Sequence, residues 1–257
     1  MDPKFDLRNV KWTTGWKGLP EAYARIKTPG VTSVISSEIP DPEFEEWIRK
    51  MGQEKVDQIM IAAGQRGTAL HCFIEQFIDI LAKTKDASEA LRFTQINSPI
   101  ILRSESIPEY KINEGRDLFY KFYYSDFSTN YTTPIGIELG IYSQTLFFRG
   151  LVDIFYMDRV FGPAVTDFKT SNGYIKKDSV KELKYKLQLG GYTTALEEMY
   201  KDKKLLIKRA SILCVNTKTD GLQEVISEGK ELEHFKNEFK TLVKQYHIKH
   251  NQGYLIQ

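Results

Sequence analysis

The stretch GLVDIFYMDRVFGPAVTDFKTS, residues 150–171, decides how the chain is read. Two apolar runs, each interrupted by one aspartate, flank a tight Gly-containing turn, the pattern of a β-hairpin. With the turn centred on Val160, Asp153 and Asp167 each lie seven residues away and fall opposite one another on adjacent strands. Directly paired side chains have Cβ atoms about 4.5–5.5 Å apart, and like charges there are destabilising. The strand period of two puts Lys169 on the face of Asp167 and turns Phe168 the other way. A divalent cation between the carboxylates would remove the conflict, and hard oxygen ligands suit Mg²⁺ or Mn²⁺. The plainer alternative has one aspartate in solvent and the other paired with Lys169.

Working outward, IGIELGIYSQTLFF precedes the hairpin and makes it a three-strand antiparallel meander. SVKELKYKLQLGGYTTALEEMY returns to helical spacing, LLIKRASILCVN and LQEVIS read as strands, and KELEHFKNEFKTLVKQYHIKH as a charged terminal helix with His247 and His250 in a solvated tail. Upstream, PDPEFEEWIRKMGQEKVDQIMIAAG opens with Asp41 as N-cap and Pro42 at the first helical position. GTALHCFIEQFIDILAK is a second, more buried helix, residues 83–108 a polar linker, and 109–127 a third helix. Residues 1–30, where basic residues mix with Trp12, Trp16 and Tyr23, read as an irregular arm. The fold class is α/β: one central mixed sheet with an antiparallel meander, flanked by helices.

The 257 residues suffice for a core without disulfide or metal staples. Two cysteines, Cys72 and Cys214, give no disulfide framework, suggest an intracellular setting and exclude a four-cysteine zinc or iron–sulfur site. No apolar run reaches the roughly 20 residues of a membrane span, and the N-terminus lacks a signal-peptide core. At a net charge of +2, any nucleic-acid role must rest on local patches.

Three ordered elements stand together: Gly150 with Asp153, Asp167 with Lys169, and Gln188 with Tyr192 on the next helix. Upstream, GTALHCFIE supplies Gly67, His71 and Glu75. This set resembles the PD-(D/E)XK nuclease superfamily, with its restriction-endonuclease-like core. Within it the set is similar to RecB-like exonucleases, above all mitochondrial genome maintenance exonucleases and their phage relatives. The likeness runs from roughly Val31 to Tyr200. It departs where Asp167 replaces the glutamate of many members, and where the cysteines of the iron–sulfur branches are missing.

The resemblance implies a single nuclease domain over 31–257 and a metal-dependent DNA exonuclease, preferring single strands or free ends. Its metal ligands would be His71, Asp153, Asp167 and the Phe168 carbonyl. Phosphodiester hydrolysis needs an activated water and neutralised phosphoryl charge, which Mg²⁺ or Mn²⁺ supplies. Lys169 would orient or activate the water and stabilise the transition state. Glu75, one turn along the helix, and Glu138, in the first strand, would steady His71 or a metal-bound water from outside the ligand set, or else Glu75 serves the structure alone. Gln188 and Tyr192 would position the substrate strand, or else form a buried polar pair that packs their helix. Lys176, Lys177, Lys181 and Lys184 would contact phosphates, and Trp12 and Trp16 would stack on bases. The implied setting is the cytoplasm, in DNA repair, replication or recombination and possibly alongside their proteins, with phage origin an option. The rivals are a structure-specific endonuclease on the same core and an inactive DNA-binding scaffold.

Overall fold

The computed structural model describes residues 28–251. The arm with Trp12, Trp16 and Tyr23 lies outside these residues, apart from its last three. A five-stranded sheet in chain order, β1 (Pro134–Ser143), β2 (Phe148–Asp158), β3 (Gly162–Ser171), β4 (Arg209–Asn216) and β5 (Leu222–Glu228), is antiparallel except where β4 runs parallel to β3. That one parallel step requires a crossover, and the helix of Val180–Met199, called α6 below, provides it.

Helices cover both faces. α1 (Val31–Glu38), α6 and α7 (Gly229–Lys249) bury Val34, Leu189, Phe239 and Val243 against one side with Val152, Phe155 and Val165. The other side takes α3 (Gln53–Thr84), α4 (Ala87–Ser104) and α5 (Glu109–Tyr123), where Phe73, Phe77, Phe119 and Phe122 meet Ile154, Phe168 and Leu213. α2 (Pro42–Met51) precedes α3 and buries none of its residues.

The meander, the crossover helix, the last two strands, the helix from Glu109 and the terminal helix agree with the sequence pattern; the helices between Pro42 and Ser104 agree only in part. Asp41 caps α2 by accepting the Phe44 N–H, as expected, but the helix then stops at Gly52, whose φ of 83° few other residues adopt. α3 runs unbroken from Gln53, so the break expected near Gly64 does not exist. The segment read as a linker, 83–108, contains α4, capped by Asp86 through the N–H groups of Ser88 and Glu89. Its polar residues and internal Pro99 hide an apolar face that buries Ala90 and Leu102. His247 is a further correction. It is fully buried, with Nε2 2.9 Å from the Leu146 carbonyl, whereas His250 is exposed.

The sheet forks. The β2–β3 ladder runs from Asp158 opposite Gly162 to Ile154 opposite Thr166 and stops there. Beyond it β2 stays with β1, and β3 stays with β4 as far as Ser171. Further out, Arg149 of β2 donates its N–H to the Pro29 carbonyl instead, at 3.0 Å.

Candidate active site

The fork leaves Phe168, still paired with Leu213 of β4, without a strand partner on its β2 side. In an extended strand the N–H and C=O of one residue point to the same side, and buried backbone groups must be paired. Side chains fill the gap. Asp153 Oδ2 accepts the Phe168 N–H at 2.6 Å, and His71 Nε2, reaching in from α3, lies 2.7 Å from the Phe168 carbonyl. The Phe168 ring holds this backbone in place, buried edge-on between Phe122 and Tyr131 at 5.7 and 5.5 Å.

The register of β2 and β3 is symmetric about Val160, so one more step would set Asp153 opposite Asp167, as the hairpin pattern requires. Both are buried. Asp167 forms an ion pair with Lys169 through Oδ2, and its Oδ1 accepts from Gln188 Nε2 at 2.9 Å. Each oxygen of the Asp167 carboxylate thus has its own partner. Gln188 also reaches the Tyr192 hydroxyl at 2.8 Å. Tyr192 packs across Gly150, where a Cβ would stand 3.0 Å from its ring. Gln188 and Tyr192 thus do pack α6 on the sheet, but through a chain that ends on Asp167.

On the α3 side, His71, Glu138 and Asp153 bring ligand atoms within 4.8 Å of one another. They line an open cleft of about 510 Å³ together with Gly67, Glu75 and Glu105. Glu105 lies just beyond α4, in the segment read as linker, and nothing in its local pattern marks it. Glu138 and Glu75 share a hydrogen bond, which requires a proton on one of the two carboxyls.

The charges divide the site. Burial pushes Asp153 up, but the His71 charge and hydrogen bond, Lys169 and the Phe168 N–H together hold it below the usual carboxylate range. Burial and the neighbouring Asp153 charge push Asp167 up to about 6, against the pull of Lys169. Burial and Glu75 push Glu138 up to about 9, and burial raises Glu75 as well. Burial lowers His71, but Asp153 outweighs it and raises the imidazole to about 9. Lys169 also ends above its ordinary value, because Asp167 and Asp153 overcome its burial. Four carboxyls and one imidazole, two of the carboxyls (Asp153 and Asp167) buried and three (Asp167, Glu138 and Glu75) raised by burial and by neighbouring carboxyls, form a donor set that fits a hard divalent cation.

Compared with known families, residues 22–253 match the model of the PD-(D/E)XK nuclease superfamily. The chain belongs to this superfamily. It is a nuclease, and its reaction is phosphodiester hydrolysis. No curated protein matches it. A solved structure from Eubacterium rectale, described as "Putative exonuclease", is similar over 73% of this chain and 68% of its own, at 11% identity and a TM-score of 0.45.

The expected phosphate contacts divide. Lys176, Lys177 and Lys181 are exposed where β3 leads into α6, but Lys184 is tied to Asp41 at 3.0 Å, joining α6 to the cap of α2. Among the described residues no helix is long and apolar enough to cross a membrane.

Proposed function

We propose that the protein is a metal-dependent DNA exonuclease of RecB-like type, acting at free ends and preferring single strands. What most supports this is the convergence of His71, Asp153, Asp167, Lys169 and the Phe168 carbonyl at one break in the sheet. A structural ion pair needs no such fork.

In this reading His71, Asp153, Asp167 and the Phe168 carbonyl hold Mg²⁺ or Mn²⁺. When bound, the ion acidifies a water and neutralises phosphoryl charge. Every other part belongs to the chain. Lys169, kept protonated by its two aspartates, is a donor rather than a base; it orients the attacking water and stabilises the oxygens that gain charge. Gln188 fixes the Asp167 carboxylate, and Tyr192 fixes Gln188. Glu75 and Glu138 flank His71. Lys176, Lys177 and Lys181 follow the phosphate backbone, which gives affinity without sequence readout. Residues 31–257 form one nuclease domain preceded by the aromatic arm. The activity would serve DNA replication, recombination or repair, a reading that the family resemblance supports.

End-labelled linear single strands, linear duplex and closed circular single strands, each with Mg²⁺, Mn²⁺ or EDTA, test the reading. Linear strands should shorten from an end, circles should survive, and EDTA should stop the reaction. A cut circle would make the enzyme an endonuclease. No cleavage with either metal would leave a DNA-binding scaffold.

A further inference from the structure

We propose that Glu138 binds the catalytic cation directly, beside His71 and Asp153, rather than steadying them from outside the ligand set. This rests on the metal-dependent reading above. Three observations on the backbone and its surroundings carry it.

The first is position. Ile137 pairs with Ile154 and Leu139 with Val152, which sets Glu138 opposite Asp153 across the β1–β2 ladder. The second is conformation. Glu138 has φ +46°, a left-handed backbone that Gly and Asn adopt readily and Glu does not. A strand that kept its alternation would put 137, 139 and 141 on one face. Here Leu139 and Ile141 pack with α6, while Ile137 packs with the α3 layer. The strand changes faces at Glu138, and the side chain at the switch swings into the fork. The third is convergence: the carboxylate ends within 4.8 Å of ligand atoms on both His71 and Asp153, lining the open cleft. Strained backbone persists where the surroundings over-determine it, and such residues cluster at active sites. A glycine would take this conformation freely, yet the chain keeps a carboxylate here. Glu75, one hydrogen bond behind it, then holds Glu138 and does not touch the ion.

Calorimetric titration with Mn²⁺, paired with thermal melts in EDTA, separates the roles. Relative to the unaltered protein, Glu138→Gln should lower Mn²⁺ affinity at least tenfold without lowering the metal-free Tm. Glu138→Gly should lose affinity equally and melt no lower in EDTA, because it releases the strain. Glu75→Gln should cost only a few-fold in affinity. Wild-type affinity in Glu138→Gln, or a greater loss in Glu75→Gln than in Glu138→Gln, would overturn the assignment. Should the unaltered protein bind no Mn²⁺ while Asp153→Asn and Asp167→Asn behave identically to it, the metal-dependent reading itself falls.

Discussion

Lys169 and Lys236 lie on the same side of the sheet, each set against carboxylates. Lys236, on α7, is sealed from solvent and pairs with Glu197 and Glu233 at 2.7 and 2.6 Å. Glu197 in turn accepts the Ile207 N–H, so its carboxylate serves two partners. The ammonium has a partner on either side, Glu233 reaches solvent, and the cluster fastens α7 to α6. At Lys169 the side chain is 29% exposed, and four further carboxyls, Glu75, Glu105, Glu138 and Asp153, line the open cleft alongside. A satisfied buried pair fixes a fold, whereas an over-supplied one is poised to take a charged ligand.

Removing each lysine should separate the two kinds of cluster. Lys169→Ala should lower kcat by about 10²–10³, the loss of one transition-state donor, while DNA affinity stays within a few-fold. An affinity that fell in step with rate would make Lys169 a phosphate anchor. Lys236→Ala should instead destabilise the protein by about 3 kcal/mol in urea titrations, since half-buried Glu197 loses its cation and keeps only the Ile207 N–H. Activity per folded molecule should not change. Equal effects of both substitutions on both measurements would erase the distinction.

The distinction also predicts a pH dependence of the metal-free protein. Glu138 and Asp167 have folded-state pKa values of about 9 and about 6, above their ordinary ones. Their neutral forms favour folding, and that contribution declines as pH rises from the unfolded value through the folded one. His71, raised to about 9, contributes below about 6.5 and loses the contribution as pH rises through 9. All three act in one direction. In EDTA, Tm should fall between pH 6 and 8.5, and Mg²⁺ should raise Tm more at the upper end. A flat profile in EDTA would mean that the fork carries no excess charge. Lys236→Ala should shift the curve without changing its slope.

The smallest effect belongs to the exposed lysines. Neutralising Lys176, Lys177 and Lys181 should flatten the salt dependence of single-strand binding by about 0.7 per lost contact. Lys184→Ala should leave the slope unchanged, because its ammonium already serves Asp41. If Lys184 behaves as the other three do, it contacts the strand.

What the sequence revealed was local. Asp153 and Asp167 could be paired because the hairpin is short and symmetric about Val160, so a period of two fixes both faces. That Gln188 and Tyr192 share a face followed from helical spacing, and their place in the site from the family resemblance. The break at Gly52 rather than Gly64 was hidden, since glycines at both sites read alike until packing decides which stays helical. α4 was hidden by its polar face and by Pro99. The swing of Glu138 depends on a dihedral angle that no residue pattern encodes. His247 meets Leu146 across 101 positions, a separation no periodicity spans.

The claim at the centre is that the fork's excess negative charge exists to hold a cation for hydrolysis. Asp167→Asn tests it most directly, in single-turnover cleavage of a labelled single strand with Mn²⁺ and in a melt with EDTA. The asparagine keeps the carbonyl that Gln188 bonds and removes a charge that Asp153 opposes. Cleavage should fall by at least 10³ while the metal-free Tm holds or rises. Near-normal cleavage, or a rate lost only in step with a collapse of Tm, would contradict the account.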